Sequence, residues 1–154
     1  MPISFTDPSQ FRDMVRMLST NVDGRRPLYL ALCNIAGIGR RFSHAVVRRA
    51  GLDPLRRAGT LTTAEEEQLV AIIQNPSEHG IPVWMLNRRF DRATGQDAHW
   101  VATDLGANLR SEIERLKKMR CKRGIRHGLN LKVRGQCTKS TGRRHGALGV
   151  EKKK

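Results

Sequence analysis

Charge divides this chain near residue 115, and that division limits what it can fold into. From Arg115 to Lys154 there are fifteen Lys or Arg against a single acid, Glu151. The first 114 residues carry fourteen bases, all Arg, against thirteen acids. The first part can therefore form an ordinary balanced domain, whereas the last forty residues form a polycation. Between residues 124 and 154 only six of thirty-one residues are Leu, Ile, Val or Phe, too few to bury a core. The sequence therefore predicts a tail that orders on a partner. At 154 residues, the chain as a whole is sized for one domain with appendages.

A polycation calls for a polyanion. The stretch IRHGLNLKVRGQCTKSTGRR, residues 125 to 144, has six Lys or Arg, no acid and no aromatic. Binding at a membrane surface uses apolar anchors beside the bases, and this stretch has none of size. No window approaches the roughly eighteen apolar residues of a membrane span. The opening MPISFTDPSQ shows neither a secretory pattern nor the acid-poor pattern of a transit peptide. Nucleic acid is the expected partner, because Lys and Arg release counterions from phosphates when they bind. Cys33, Cys121 and Cys137 are odd in number and lack paired spacing, so free thiols in a reducing compartment are expected. Cys121, His127, Cys137 and His145 contain no short pair that would anchor zinc, and no metal is expected.

Periodicity predicts a mainly helical fold. Phe11, Met14, Val15 and Leu18 recur at helical spacing within residues 8 to 20. Residues 27 to 35, PLYLALCNI, read as a short buried helix with Pro27 in its first turn. An amphipathic helix is expected from Arg40 to Ala50, with Gly51 as its C-terminal cap. Thr62 and Glu65 form a capping box for a helix that Pro76 ends. Residues 88 to 101 read as a two-stranded hairpin around Thr94-Gly95. From Thr103 to Met119 a long helix is expected, with Leu105, Leu109, Ile113, Leu116 and Met119 as its apolar stripe. The expected organisation is a helical domain over 1–102 with the hairpin near 88–101, a connecting helix over 103–120, and an extended basic tail over 121–154.

Three features could carry chemistry. The first is IAGIGR, residues 35 to 40, a glycine turn between helices. Gly37 and Gly39 allow a tight turn and close approach of a phosphate, and the next helix offers free N–H groups with Arg40 and Arg41 beside them. The same turn could equally be a packing device. It lacks the third glycine and the preceding parallel strand of a dinucleotide site. The second feature is the end of the long helix, where Lys117, Lys118, Arg120, Lys122 and Arg123 would surround most of the axis. The third is the tail, whose glycines suit an extended chain threading grooves and whose arginines fork phosphates. The twenty-eight residues from His127 could span roughly 90 Å at about 3.3 Å each. No nucleophile elbow, metal-helix motif or phosphate-loop lysine appears, so no enzymatic activity, cofactor or small-molecule substrate is expected.

The segments GIGRRFSHAVVRRAGLDP and RLKKMRCKRGIRHGLNLKVRGQCTKSTGRR together resemble the universal small-subunit ribosomal protein family numbered thirteen in bacteria. VWMLNRRFDRATGQDAHWV and the closing GVEKKK resemble the eukaryotic cytosolic form, numbered eighteen. The resemblance implies a helix-two-turn-helix-like domain in the head of the small subunit. It also implies binding to ribosomal RNA beside neighbouring head proteins, a contact with a large-subunit protein across the interface, and a tail reaching toward transfer RNA. Residue by residue, it places ribosomal RNA contacts at Gly37, Gly39, Arg40 and Arg41. Further contacts fall at Arg123, Arg126 and His127, and along the tail at Arg134, Gln136, Lys139, Arg143 and Arg144; the cationic run itself adds Lys117, Lys118, Arg120, Lys122 and, in the tail, Lys132 as candidate ribosomal RNA contacts. Lys152, Lys153 and Lys154 are the candidates for transfer RNA, and Arg88, Arg89 and Arg92 for the intersubunit contact. The implied location is the cytosolic ribosome, with assembly in the nucleolus. The rival reading is a DNA-binding or repair protein that uses the glycine turn.

Overall fold

A computed structural model describes residues 11 to 139 of the chain. The chain divides into two compact units, Met1–Gly106 and Ala107–Lys154. The first unit opens not with a helix but with a β-hairpin, β1 (Met14–Met17) and β2 (Thr20–Asp23). The register pairs Val15 with Val22 and Met17 with Thr20. This corrects the expectation of a helix at residues 8 to 20, of which residues 8 to 10 lie outside the described part. Val15 and Met17 point into the core while Met14 and Arg16 point out, a period of two. The same apolar residues also fit a period of 3.6. The connecting turn, Leu18 at φ 45° and Ser19 at φ 61°, contains neither Gly nor Asn. The usual signal of such a hairpin is therefore missing from the sequence.

Helix α1 (Leu28–Ala31) runs into a 3-10 turn, Leu32–Asn34. Pro27 sits at the N-cap of α1, one residue before the first turn in which it was expected. Helix α2 (Arg40–Arg49) buries Phe42, Ser43, Val46 and Val47 and ends as expected, with the Gly51 N–H donating to Arg48 O at 3.1 Å. Buried Ser43 is satisfied, its Oγ donating to Tyr29 O at 2.6 Å. Helix α3 (Thr63–Gln74) begins with the expected capping box at Thr62 and Glu65 and buries Leu69, Ile72 and Ile73. These helices enclose one core with Val15, Val22, Leu28, Leu32 and Ile35. Each such fully buried side chain contributes about 1.5–3 kcal/mol relative to exposure.

Only one antiparallel bridge, Arg88 with Ala98, forms where a two-stranded hairpin was expected. Side chains take the place of the ladder further along. The Asn87 amide Nδ2 donates to Trp100 O at 2.6 Å, and Asn87 Oδ1 accepts from Trp100 N–H at 2.9 Å. The Asn87 N–H donates to His99 Nδ1 at 3.2 Å.

Helix α4 (Ala102–Lys118) matches the expected long helix within a residue at each end, but it buries no side chain. Leu109 and Met119 are 57% and 60% exposed, so the apolar stripe is not a core stripe. The cationic run does not encircle one continuous helix either. The chain turns at Arg120, φ 51°, and α5 (Lys122–Gly128) begins anew. The Cys121 thiol caps α5, its Sγ accepting from Gly124 N–H at 3.4 Å. The segment expected to be extended, 121–154, thus begins with a helix, α5.

Candidate nucleic-acid interface

The glycine turn is built against the loop that follows it in space, not only against its own helices. Gly37 has φ +99°, and a Cβ there would come within 2.6 Å of Trp100 O. The Ala102 N–H donates to Ala36 O at 2.7 Å, closing the contact. His99 stacks on Phe42 of the first turn of α2, with ring centroids 3.9 Å apart. Gly37 is therefore required by both conformation and space. Gly39 is different: its backbone is extended and nothing lies within 4 Å of its would-be Cβ. What Gly39 leaves open is the approach to the start of α2. That start has no side-chain cap and no acid in its first turn. Its first backbone bond is Ser43 N–H to Gly39 O, 2.9 Å, so among the described residues the amides of Arg40, Arg41 and Phe42 keep no partner.

Opposite the buried face of α2, Arg40, Arg41, His44 and Arg48 share one face with Tyr29 and Met85 around an open depression of about 530 Å³. Tyr29 and His44 meet edge to face, with centroids 6.0 Å apart. Tyr29 O also accepts from the Cys33 thiol at 3.2 Å, and burial pushes that thiol's pKa up, so it stays protonated as a donor.

Among the described residues no acid lines the depression. Other arginines of this unit are used internally: Arg12 pairs with Glu66, Arg25 with Asp13, Arg26 with Asp23, Arg56 with Glu65 and Arg88 with Asp91. Arg40, Arg41 and Arg48 have no ion pair among the described residues. Guanidinium groups without carboxylates, beside free helix amides and aromatic edges, suit phosphates and the bases they carry.

The turn residues expected at the site, Gly37, Gly39, Arg40 and Arg41, are thus brought together. Sequence reading missed Arg48, which the i, i+4, i+8 spacing of Arg40, His44 and Arg48 could have revealed. Nothing in the sequence pointed to Tyr29 or Met85.

Within the second unit, Lys117 and Lys118 end α4, while Lys122 and Arg123 begin α5. Gly124 packs so closely under α4 that a Cβ would overlap the Leu116 carbonyl group. Arg126 and His127 are half-buried on α5, and Arg126 Nε donates to Lys132 O at 2.6 Å, folding the chain back. Gln136 Oε1 accepts from Arg134 N–H at 3.0 Å, a local turn that leaves the Arg134 and Lys132 side chains exposed. Lys139 is exposed as well. Arg143, Arg144, Lys152, Lys153 and Lys154 lie outside the described residues. On the 88–98 loop, Arg88 is tied to Asp91 while Arg89 and Arg92 are exposed. No helix among the described residues is long and apolar enough to cross a membrane.

A comparison with protein families matches residues 16–144 to the family described as Ribosomal protein S13/S18.

Proposed function

The chain belongs to the ribosomal protein S13/S18 family, non-enzymatic structural proteins of the small ribosomal subunit, and on that premise we propose that it binds small-subunit ribosomal RNA at two separate places. One is the uncapped start of α2 with Arg40, Arg41 and Arg48. The other is the basic run from Lys117 through the tail, including Arg120, Lys122, Arg123, Arg126, Lys132, Arg134 and Lys139. The observation that carries the reading is the α2 face: arginines left without carboxylates, beside unused helix amides, in a chain that matches the family over most of its length.

In this reading the protein sits in the head of the small subunit among neighbouring head proteins. It meets a large-subunit protein across the interface, and its terminal lysines reach toward transfer RNA. It works in the cytosolic ribosome after assembly in the nucleolus. The tail is basic because it lies among packed phosphates, and many contacts share its load. Removing it therefore loosens transfer RNA binding before it blocks assembly. Sedimentation of the tagged protein through a sucrose gradient tests the proposal. Co-migration with small subunits and whole ribosomes, lost after RNase, is expected. A slowly sedimenting protein that ignores RNase and follows DNA would favour the repair-protein reading.

A further inference from the structure

The loop between Arg88 and Ala98 holds an aromatic ring out in solvent and fixes it there. Phe90 is 80% exposed. Its φ of +51° is one that a bulky residue adopts only when its surroundings impose it. They do so here. The Phe90 N–H donates to Asp97 Oδ1 at 2.7 Å. The next residue, Asp91, is buried, its N–H donating to Gln96 O at 2.8 Å and its carboxylate accepting from Arg88 Nε at 2.8 Å. Arg88 and Ala98 exchange both backbone hydrogen bonds, at 3.2 and 2.9 Å. One residue further, His99 stacks on Phe42, so the base of the loop is fastened to the first turn of α2.

Two cations lie near the ring in the chain, Arg89 just before Phe90 and Arg92 two residues after it, while the carboxylate of the intervening Asp91 is held by Arg88. Arg89 and Arg92 are exposed and have no ion pair among the described residues, although Arg88 beside them has one. We infer that Phe90 is a stacking platform for an unpaired RNA base, with Arg89 and Arg92 taking the phosphates on either side. An aromatic anchor for a protein partner works inside a desolvated pocket ringed by further contacts. Phe90 instead stands between charged neighbours in the chain, Arg89 and Asp91. An exposed ring with unpaired arginines one residue before it and two residues after it in the chain matches a base and its phosphates, and stacking is the usual way in which proteins hold single-stranded nucleotides. The stacking fastens the loop to α2 through the helix's buried side, at Phe42. The inference rests on the ribosomal reading and adds a site to it. The strand could belong to either subunit's RNA, and identifying the captured nucleotide tells the two apart.

The test replaces Phe90 with a photo-reactive benzophenone amino acid in the full chain, assembled into ribosomes. After irradiation and nuclease trimming, an RNA adduct at a defined nucleotide is expected. In a second arm, Phe90→Ala should raise the chemical reactivity of that base by roughly fivefold or more, the low end for losing one base–aromatic stack, while Phe90→Trp keeps it protected. Adducts confined to protein, no adduct, or equal reactivity in the Ala and wild-type particles would overturn the inference while leaving the ribosomal reading intact. Absence of the protein from ribosomes would overturn both.

Discussion

Helices α2 and α3 are packed into the same core and are nearly equal in length, yet they begin in opposite ways. The start of α3 is closed: Thr62 Oγ1 accepts from Glu65 N–H, and Glu65 returns a carboxylate oxygen to Thr62 N–H at 2.8 Å. Burial pushes the Glu65 carboxyl pKa up, but bonds from Thr62 and Arg56 outweigh that and hold it below its ordinary value. Glu65 and Glu66 add negative charge where the helix dipole favours it. The start of α2 is open, with Gly39 at its cap and two arginines in its first turn, where the dipole disfavours them. One helix satisfies itself, whereas the other is left open, and on the proposed function an anion completes it. Stability is built at α3 and withheld at α2, which is what the proposed RNA contact at α2 would require.

The sharpest way to break this contrast is Gly37→Ala. A Cβ there meets Trp100 O, and the positive φ is lost to strain, so we expect a loss of about 2–5 kcal/mol in chemical unfolding. If the variant kept full stability, the docking of the loop onto the turn would be wrong. Next in size, Arg40→Ala combined with Arg41→Ala should weaken RNA binding roughly tenfold or more. It should also reduce the salt slope by about 1–2 while barely moving the unfolding midpoint. A filter-binding salt titration would read this, and an unchanged slope would remove α2 from the interface. Thr62→Ala should do the reverse, costing about 1 kcal/mol of stability with RNA affinity unchanged. Gly39→Asp sharpens the comparison most directly: it gives α2 the cap that α3 has. It should raise stability by a few tenths of a kcal/mol and still weaken RNA binding, because its carboxylate occupies the free amides. A gain in both would mean that the open start has no role in binding.

The smallest effect concerns pH. Burial lowers the pKa of His99, against a weaker opposing pull from a bond with the Gly37 backbone. The imidazole is therefore neutral in the fold, whereas the unfolded chain takes up a proton near pH 6.5. Stability from this group is constant above that pH and is lost as pH falls through it. Unfolding midpoints compared at about pH 7.5 and 5.5 should converge between wild type and His99→Gln as the pH drops.

Much of this was legible in the sequence wherever the signal was local. The Thr62–Glu65 box and the Gly51 cap each lie within a few residues and have one physical solution. What escaped depends on residues far apart in the chain. Val15 and Met17 face the core as a strand only because Thr20–Asp23 comes back beside them through a Leu18–Ser19 turn with no sequence mark. The 88–101 segment does return on itself, but Asn87 replaces the strand ladder with its side chain. The apolar spacing of α4 is regular, yet spacing alone does not say whether a stripe is covered. At the proposed interface, Arg40 and Arg41 were evident from the turn, whereas Tyr29 and Met85 join them only through tertiary packing.

Gly124 has a genetic consequence. Every other amino acid carries the Cβ for which the Leu116 carbonyl leaves no room, so no missense change in that codon is conservative, whatever the chemistry of the new residue. Four positions on, a Cβ at Gly128 would meet only the end of the Lys117 side chain at 3.8 Å. Alleles at codon 128 should therefore persist in populations where alleles at codon 124 are lost, although both codons read glycine within one short helix.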